Sequence, residues 1–525
     1  MRNKKHLNKW IALPIVLAGV LVLSACSNST QQTNQDNDME NMTSKKPEND
    51  QTKPMSASGD SKIEVLTGNT FTLTAKESML HLDDNTMKNA WTYNGTVPGP
   101  QLRVKQGEKI KVVLNNELPE PVTIHWHGLP VPHNMDGIPG VTQNAVKPGE
   151  TFIYQFTVDV PGTYWYHSHQ NGVVQVDKGL YGSLVVEPKD QQPVDKDYTL
   201  VLDEWMKDDS MSGMSHGGGH AGMNMGSSEM PMSDAEMMSL MYTIFSANGK
   251  TGAAIQPLKV KEGEKVRIRL VNAGFLSHKL NLQGHEYKIV STDGQPINNP
   301  PLVSRQLLNI APGERYDIEF FANNPGSWLL EERSSNPGAK SLTVPIVYEG
   351  SESVSPKSET GDLPLVDITT YGDAAKSNFS LDSKYDVEYT MDLNTEMSNG
   401  EMAFTINGKT FPNTPPLNVK KGDLVKVKLV NKSREDLHPM HLHGHFFQVL
   451  SKNGKSVSGS PLVKDTLNLL PGEEYVVAFK ADNPGNWMFH CHDLGHASQG
   501  MVSEVKYEGF KPNFTVDPTV NNMPE

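Results

Sequence analysis

Cysteine is nearly absent: the 525 residues carry two, Cys26 and Cys491. That excludes a fold stapled by several disulfides, and if Cys26 is consumed in processing no intrachain bridge can form at all. Net positive charge is lacking as well. The formal charge is −14, which argues against nucleic acid as a partner and leaves an acidic surface suited to small cations. The N-terminal apolar run, 11–23, is too short to span a bilayer comfortably.

That run follows Arg2, Lys4, Lys5 and Lys9 and ends in Leu23-Ser24-Ala25-Cys26. A basic stretch, a short apolar core and LSAC read as a signal peptide ending in a bacterial lipobox, with Cys26 as the lipidated residue. The expected place is the outer face of the bacterial cell membrane, with membrane contact only through this anchor. Cleavage before Cys26 makes the mature chain four charges more negative. Residues 27–62 are rich in Asn, Gln, Ser, Thr, Asp and Lys, with almost nothing to bury, and read as a flexible tether.

Glycine and proline are plentiful, 43 and 35 residues, and they punctuate short Val/Ile/Thr-rich runs, the pattern of β-sandwiches. The length suits about three domains. The chain also repeats itself. LRVKQGEKIKVVLNN (102–116), LKVKEGEKVRIRLVN (258–272) and LNVKKGDLVKVKLVN (417–431) are one motif: strand, glycine turn, alternating strand. Each copy is followed by a Pro-Gly turn, an alternating strand, a second Pro-Gly turn and an aromatic strand. The expected organisation is three β-sandwiches, 63–190, 196–350 and 363–510, joined by polar linkers and followed by a tail, 511–525.

The copies differ where chemistry would sit. The third has HPMHLHGH (438–445) and HCH (490–492), and the first has HWHG (125–128) and HSH (167–169). The middle copy reads HKLNLQGH (278–285) and then Glu331-Glu332-Arg333. On a strand, residues i and i+2 share a face. His125 with His127, His167 with His169, His441 with His443, and His490 with His492 therefore project as pairs, and eight imidazoles can converge where the outer copies meet. Cys491 points the opposite way. His438 is out of step with His441 and His443, so it can face Cys491, and the following loop offers His496 and Met501. A thiolate, two imidazoles and a thioether form a blue-copper electron-transfer set. His278 and His285, without paired partners, are expected not to bind metal; His133 and His445 read as packed or supporting residues.

The four motifs HWHG, HSH, HPMHLHGH and HCHDLGHASQGM, in this order and across about 450 residues, resemble those of the multicopper oxidases, the family of laccases and cuprous oxidases. The resemblance implies three cupredoxin domains and four copper ions. His438, Cys491, His496 and Met501 would hold the type 1 copper, and His125 and His441 the type 2. His127, His167 and His492 would hold one type 3 copper, and His169, His443 and His490 the other. It also implies that single electrons from a reductant pass to dioxygen, four of them giving two waters. Asp136 falls where relatives carry an acid near the cluster, and is expected to relay protons. Many bacterial relatives carry Glu after the equivalent of His496; Ala497 stands there, with Asp493 as a substitute.

An insertion, 206–241, holds ten methionines with two histidines among Gly and Ser. Thioethers favour Cu(I), so Met211, Met214, His216, His220, Met223 and Met225 are candidate accessory Cu(I) ligands. Relatives with such a segment carry it in the third domain; its place in the second is a departure. The expected activity is oxidation of Cu(I) in copper tolerance, with oxidation of phenols also within reach. Two alternatives are a laccase whose natural reductant is a phenol or aromatic amine, and a lipoprotein that merely sequesters copper.

Overall fold

The computed structural model describes residues 63–190, 193–207, 234–351, 355–356, 361–398 and 401–525. Cys26 and the insertion residues Met211, Met214, His216, His220, Met223 and Met225 lie outside them. Among the described residues no helix is long and apolar enough to cross a membrane.

Each copy of the repeat folds as a two-sheet β-sandwich. The first pairs a five-stranded with a four-stranded sheet, the second a five- with a six-stranded, the third a five- with a seven-stranded. The glycine-turn motif is the crossing point. Its first strand lies in the five-stranded sheet and its second in the other, as Leu258–Val260 and Lys265–Asn272 show. The alternation read from sequence matches burial: Glu108–Asn116 buries Ile110, Val112 and Leu114 while the residues between are partly exposed. Each sandwich encloses its own apolar core, for example around Trp126 and Tyr154, around Ile268 and Ile318, and around Val427 and Phe489.

The five-stranded sheets are built alike, and this places the site. In the first, His125–His127 pairs antiparallel with Gly162–His167, setting His125 opposite His167. In the third, His438–Leu442 pairs with Asn486–Cys491, setting His441 opposite His490 and Met440 opposite Cys491. In the second, His278–Leu282 pairs with Ser327–Glu332, so Leu280 faces Glu332. Glu332 therefore occupies the register position of Cys491, and His278 that of His438.

Candidate metal centre

Eight histidines from the four short strands and their ends meet between the first and third sandwiches. His127 stacks on His441 with ring centroids 3.7 Å apart, and His125 on His443 at 4.0 Å. Ligand atoms of His125, His127 and His441, of His127, His167 and His492, and of His169, His443 and His490 form three groups, each within 4.8 Å. All eight rings are buried. Burial, reinforced by neighbouring rings, holds His127, His167, His443 and His492 well below the usual histidine range. It takes His169 and His490 down to about 3. Neutral imidazoles keep the lone pair that a metal needs.

The outward nitrogens are held by the protein. Nδ1 of His125 donates to the Asp136 carbonyl at 2.8 Å, that of His441 to the Asp465 carbonyl at 3.0 Å, and that of His167 to the Ser168 carbonyl at 2.9 Å. His490 Nδ1 donates to the Cys491 carbonyl at 2.9 Å and His169 Nδ1 to the Pro524 carbonyl at 3.0 Å. His443 Nδ1 lies 3.0 Å from Asp136 Oδ2. His127 is turned the other way, with Nε2 on Thr466 Oγ1 at 3.0 Å. The inward nitrogens of His125, His127, His167, His169 and His441, and both of His492, have no hydrogen-bond partner although buried. Buried polar atoms are rarely left unpaired, and so many lone pairs aimed at one space fit a set of metal ions.

Asp136 reaches two of these rings because Gly137 follows it. At φ +81°, a Cβ on Gly137 would stand 1.9 Å from the Ile124 carbonyl oxygen, so only glycine lets the loop press against the His125 strand. The Asp136 carboxylate lies on the outward nitrogens of His125 and His443, at 3.2 and 3.0 Å.

The second group stands on the opposite face of the strand that carries His490 and His492. Cys491 Sγ, His438 Nδ1 and His496 Nδ1 are 3.2–3.8 Å from one another. Three donors at about 2.0–2.3 Å from one ion in a trigonal plane would stand ~3.5–3.7 Å apart. The residues therefore fit one copper ion. His438 Nε2 is held by Ser433 Oγ at 2.8 Å, and Phe404 stacks on His496 at 3.9 Å. Met501 is fully buried in the same core cluster as Cys491, and its carbonyl accepts from the Cys491 amide. Burial pushes the Cys491 thiol up. Asp493 caps the short helix Leu494–Ser498 and lies 3.6 Å from His496 Nε2. Ala497 packs among Ile138, Met488 and Val502.

His278 and His285 take other roles. His278 bridges two acids, with Nδ1 3.1 Å from Glu332 and Nε2 3.5 Å from Glu204. Burial alone would lower it, but these carboxylates outweigh that and push it up to about 9. His285 and His445 sit at matching repeat positions and bond Tyr348 and Tyr507 at 2.6 and 2.7 Å. His133 packs on Phe510 and Trp487.

Four residues at the centre escaped the sequence reading. Arg315, from the middle sandwich, makes a two-pronged bond to Asp465 at 2.7 and 2.6 Å, with both side chains fully buried. Asp465 in turn lies 3.2 Å from His127 Nε2 and 3.5 Å from His441 Nδ1. Burial works against its charge, but Arg315 holds the carboxyl well below the usual range. Asp234 lies 3.3 Å from His496 Nε2, and Glu525 lies 2.9 Å from His169 Nε2. A faint signal for Asp465 existed: KDTLNLLPGE breaks from the middle copy's RQLLNIAPGE by an acid just before the strand that flanks His441. None marked the other three.

Comparison with known proteins adds to this. Residues 74–191, 196–348 and 382–509 each match a family model described as multicopper oxidase. The chain is 31% identical to the multicopper oxidase MmcO of Mycobacterium tuberculosis, over 83% of this chain and 87% of that protein. It is 26% identical to a copper resistance protein A homolog of Pseudomonas syringae pv. tomato, over 84% and 93%. It is 30% identical to Laccase-2 of Botryotinia fuckeliana, over 80% and 79%. The crystal structure of a multicopper oxidase from Pseudomonas thermotolerans superposes with a TM-score of 0.63 at 28% identity, covering 85% of this chain and all of that one. A fold of three cupredoxin-like sandwiches, matched along its whole repeated length, makes this chain a member of the multicopper oxidase family, oxidoreductases that use dioxygen as electron acceptor.

Proposed function

We propose that this enzyme oxidises Cu(I) to Cu(II), four ions per dioxygen reduced to two waters, as a copper-defence oxidase tethered to the cell surface through Cys26. One observation carries the choice of reductant. Asp234, inside the insertion, stands 3.3 Å from His496 Nε2. Met206, at the other edge of the insertion, belongs to the same apolar cluster as Met238 and Leu494. One described residue of the insertion thus meets His496 of the third sandwich although the insertion belongs to the second repeat by sequence, which supports a role for it there. Thioethers suit Cu(I), and a carboxylate suits the Cu(II) that forms.

In this reading His438, Cys491, His496 and Met501 hold the type 1 copper. His125 and His441 hold the type 2, and the triads His127/His167/His492 and His169/His443/His490 hold the type 3 pair. Bound copper supplies the one-electron storage that protein groups lack. The chain's own part is positioning. Cys491 is covalently continuous with His490 and His492, so the two sites are linked across on the order of 10 Å of strand. Buried Asp136 fixes His125 and His443, and as a carboxyl group beside the cluster it supplies protons for water formation.

The name Laccase-2 on one relative supports a second reading, in which a phenol or aromatic amine is the natural reductant. Oxygen uptake on copper-loaded protein separates them. Deleting 208–233 should depress Cu(I)-driven uptake at least tenfold and spare phenol-driven uptake. Equal retention of both would make the chain a laccase; no uptake with either reductant from intact, copper-loaded protein would leave only sequestration. Cys26→Ser should release the protein from the membrane fraction, and continued membrane retention would refute the anchor.

A further inference from the structure

The segment after the third sandwich returns to the first and reaches His169 in the candidate metal centre. It is fastened on the way. Lys147 Nζ lies 3.0 Å from Asp517, the Asn144 amide donates to the Thr515 carbonyl at 2.9 Å, and the Gln170 amide donates to the Asn521 carbonyl at 2.8 Å. The Asn171 amide donates to the Met523 carbonyl at 2.8 Å. Beyond these ties His169 Nδ1 donates to the Pro524 carbonyl, and the Glu525 side chain, 6% exposed, lies 2.9 Å from His169 Nε2 and 3.6 Å from His490 Nδ1.

The pocket for this carboxylate is shaped. A Cβ on Gly172 would stand 3.0 Å from Glu525 Oε2. Neither carboxylate oxygen receives an aligned hydrogen bond. Burying a carboxylate without donors is strongly unfavourable unless a cation is near. Two of the rings it meets, His169 and His490, belong with His443 to one triad that could hold a metal ion. Glu525 Oε1 approaches the inward nitrogen of His169 and the outward nitrogen of His490.

We propose that Glu525 is a built-in anion of the copper centre. The strap 515–525 presses its carboxylate against the His169/His443/His490 triad, where it shields the bound metal from small external monoanions. The inference rests on that triad holding copper, as proposed above. It goes further in assigning the strap a role in deciding which ligands reach the metal.

The test compares copper-loaded wild type with Glu525→Gln, Glu525→Ala, and Lys147→Ala, which loosens the strap far from the metal. Copper per chain is counted first, and azide is then titrated at fixed pH by its absorption change. Glu525→Gln and Glu525→Ala should keep the wild-type copper count and bind azide about tenfold more tightly or better, with Lys147→Ala between them and wild type. Azide affinities within twofold of wild type in all three would overturn the shield. Loss of copper from folded Glu525→Gln would also overturn it, making the carboxylate a structural ligand. A wild-type chain that takes up no copper refutes the metal reading itself, an outcome separate from the other two.

Discussion

In the middle sandwich His278 stands at the position of His438, the residue that meets Cys491 and His496 in the third. His278 lies between Glu332 and Glu204, all three within the buried interior. Glu204 also accepts from the amides of Phe275 and Leu276, and the ring edge of Phe245 closes the pocket at 5.1 Å. The folded protein holds the His278 proton up to about 9, against about 6.5 in an unfolded chain. A raised pKa means that the stabilisation is complete below about 6.5 and is lost as pH climbs through 9. At 1.36 kcal/mol per unit the total is roughly 3 kcal/mol. His278→Gln removes the charge and leaves two carboxylates facing one another. Thermal unfolding, followed by fluorescence of Trp205 and Trp328, should therefore place the variant roughly 6–12 °C below wild type at pH 6, at 2–4 °C per kcal/mol for a domain of this size. At pH 10 the gap should shrink to a small residue. A gap that stays constant from pH 6 to pH 10 would refute the claim that His278 is charged in the folded state.

Arg315→Met should strip Asp465 of its counter-charge and cost about 3–5 kcal/mol, read as a lowered unfolding midpoint together with weaker copper retention against a chelator. A wild-type midpoint would mean that the pair contributes nothing. Cys491→Ser should abolish the intense visible absorption of copper-loaded protein and slow oxygen uptake at least ~100-fold, since its copper could no longer accept electrons through a thiolate. Undiminished uptake would favour simple metal storage. Asp136→Asn keeps the size and one acceptor oxygen, so copper should stay bound while turnover falls about 10²–10⁴-fold, the usual weight of a proton donor. Turnover within a few-fold of wild type would remove Asp136 from the proton route.

The strands and the histidine pairs are legible in the sequence because both depend on the shortest-range regularity a chain has. Alternation along a strand places His490 and His492 on one face and Cys491 on the other whatever surrounds them, and three copies of one motif reveal which positions changed. The equivalence of Glu332 with Cys491 follows from the same alignment. What escaped depends on distance along the chain. Arg315 meets Asp465 across 150 positions, and Glu525 meets His169 across more than 350. Nothing local distinguishes Arg315 in APGER from a surface arginine, or Glu525 in NNMPE from a solvated tail. Asp234 likewise follows a Met-rich, polar stretch with no periodicity to say where it lands. Pairings of this kind are decided by how whole sandwiches pack.

The placement of Gly313 carries a consequence for assembly. It stands in the middle sandwich, yet a Cβ there would come within 2.9 Å of His492 and 3.2 Å of His127, rings supplied by the other two. The middle copy is thus a wall of a chamber whose furnishings come from its neighbours, and Glu525 enters that chamber from residues beyond the third. No fragment holds a complete chamber. Contacts so distant along the chain are slow to form, so a folded sandwich precedes the chamber that needs all three. On the proposed function, copper capture then reports that the three sandwiches have met, and an ion reaching a molecule in which they have not finds scattered histidines in place of a reactive centre.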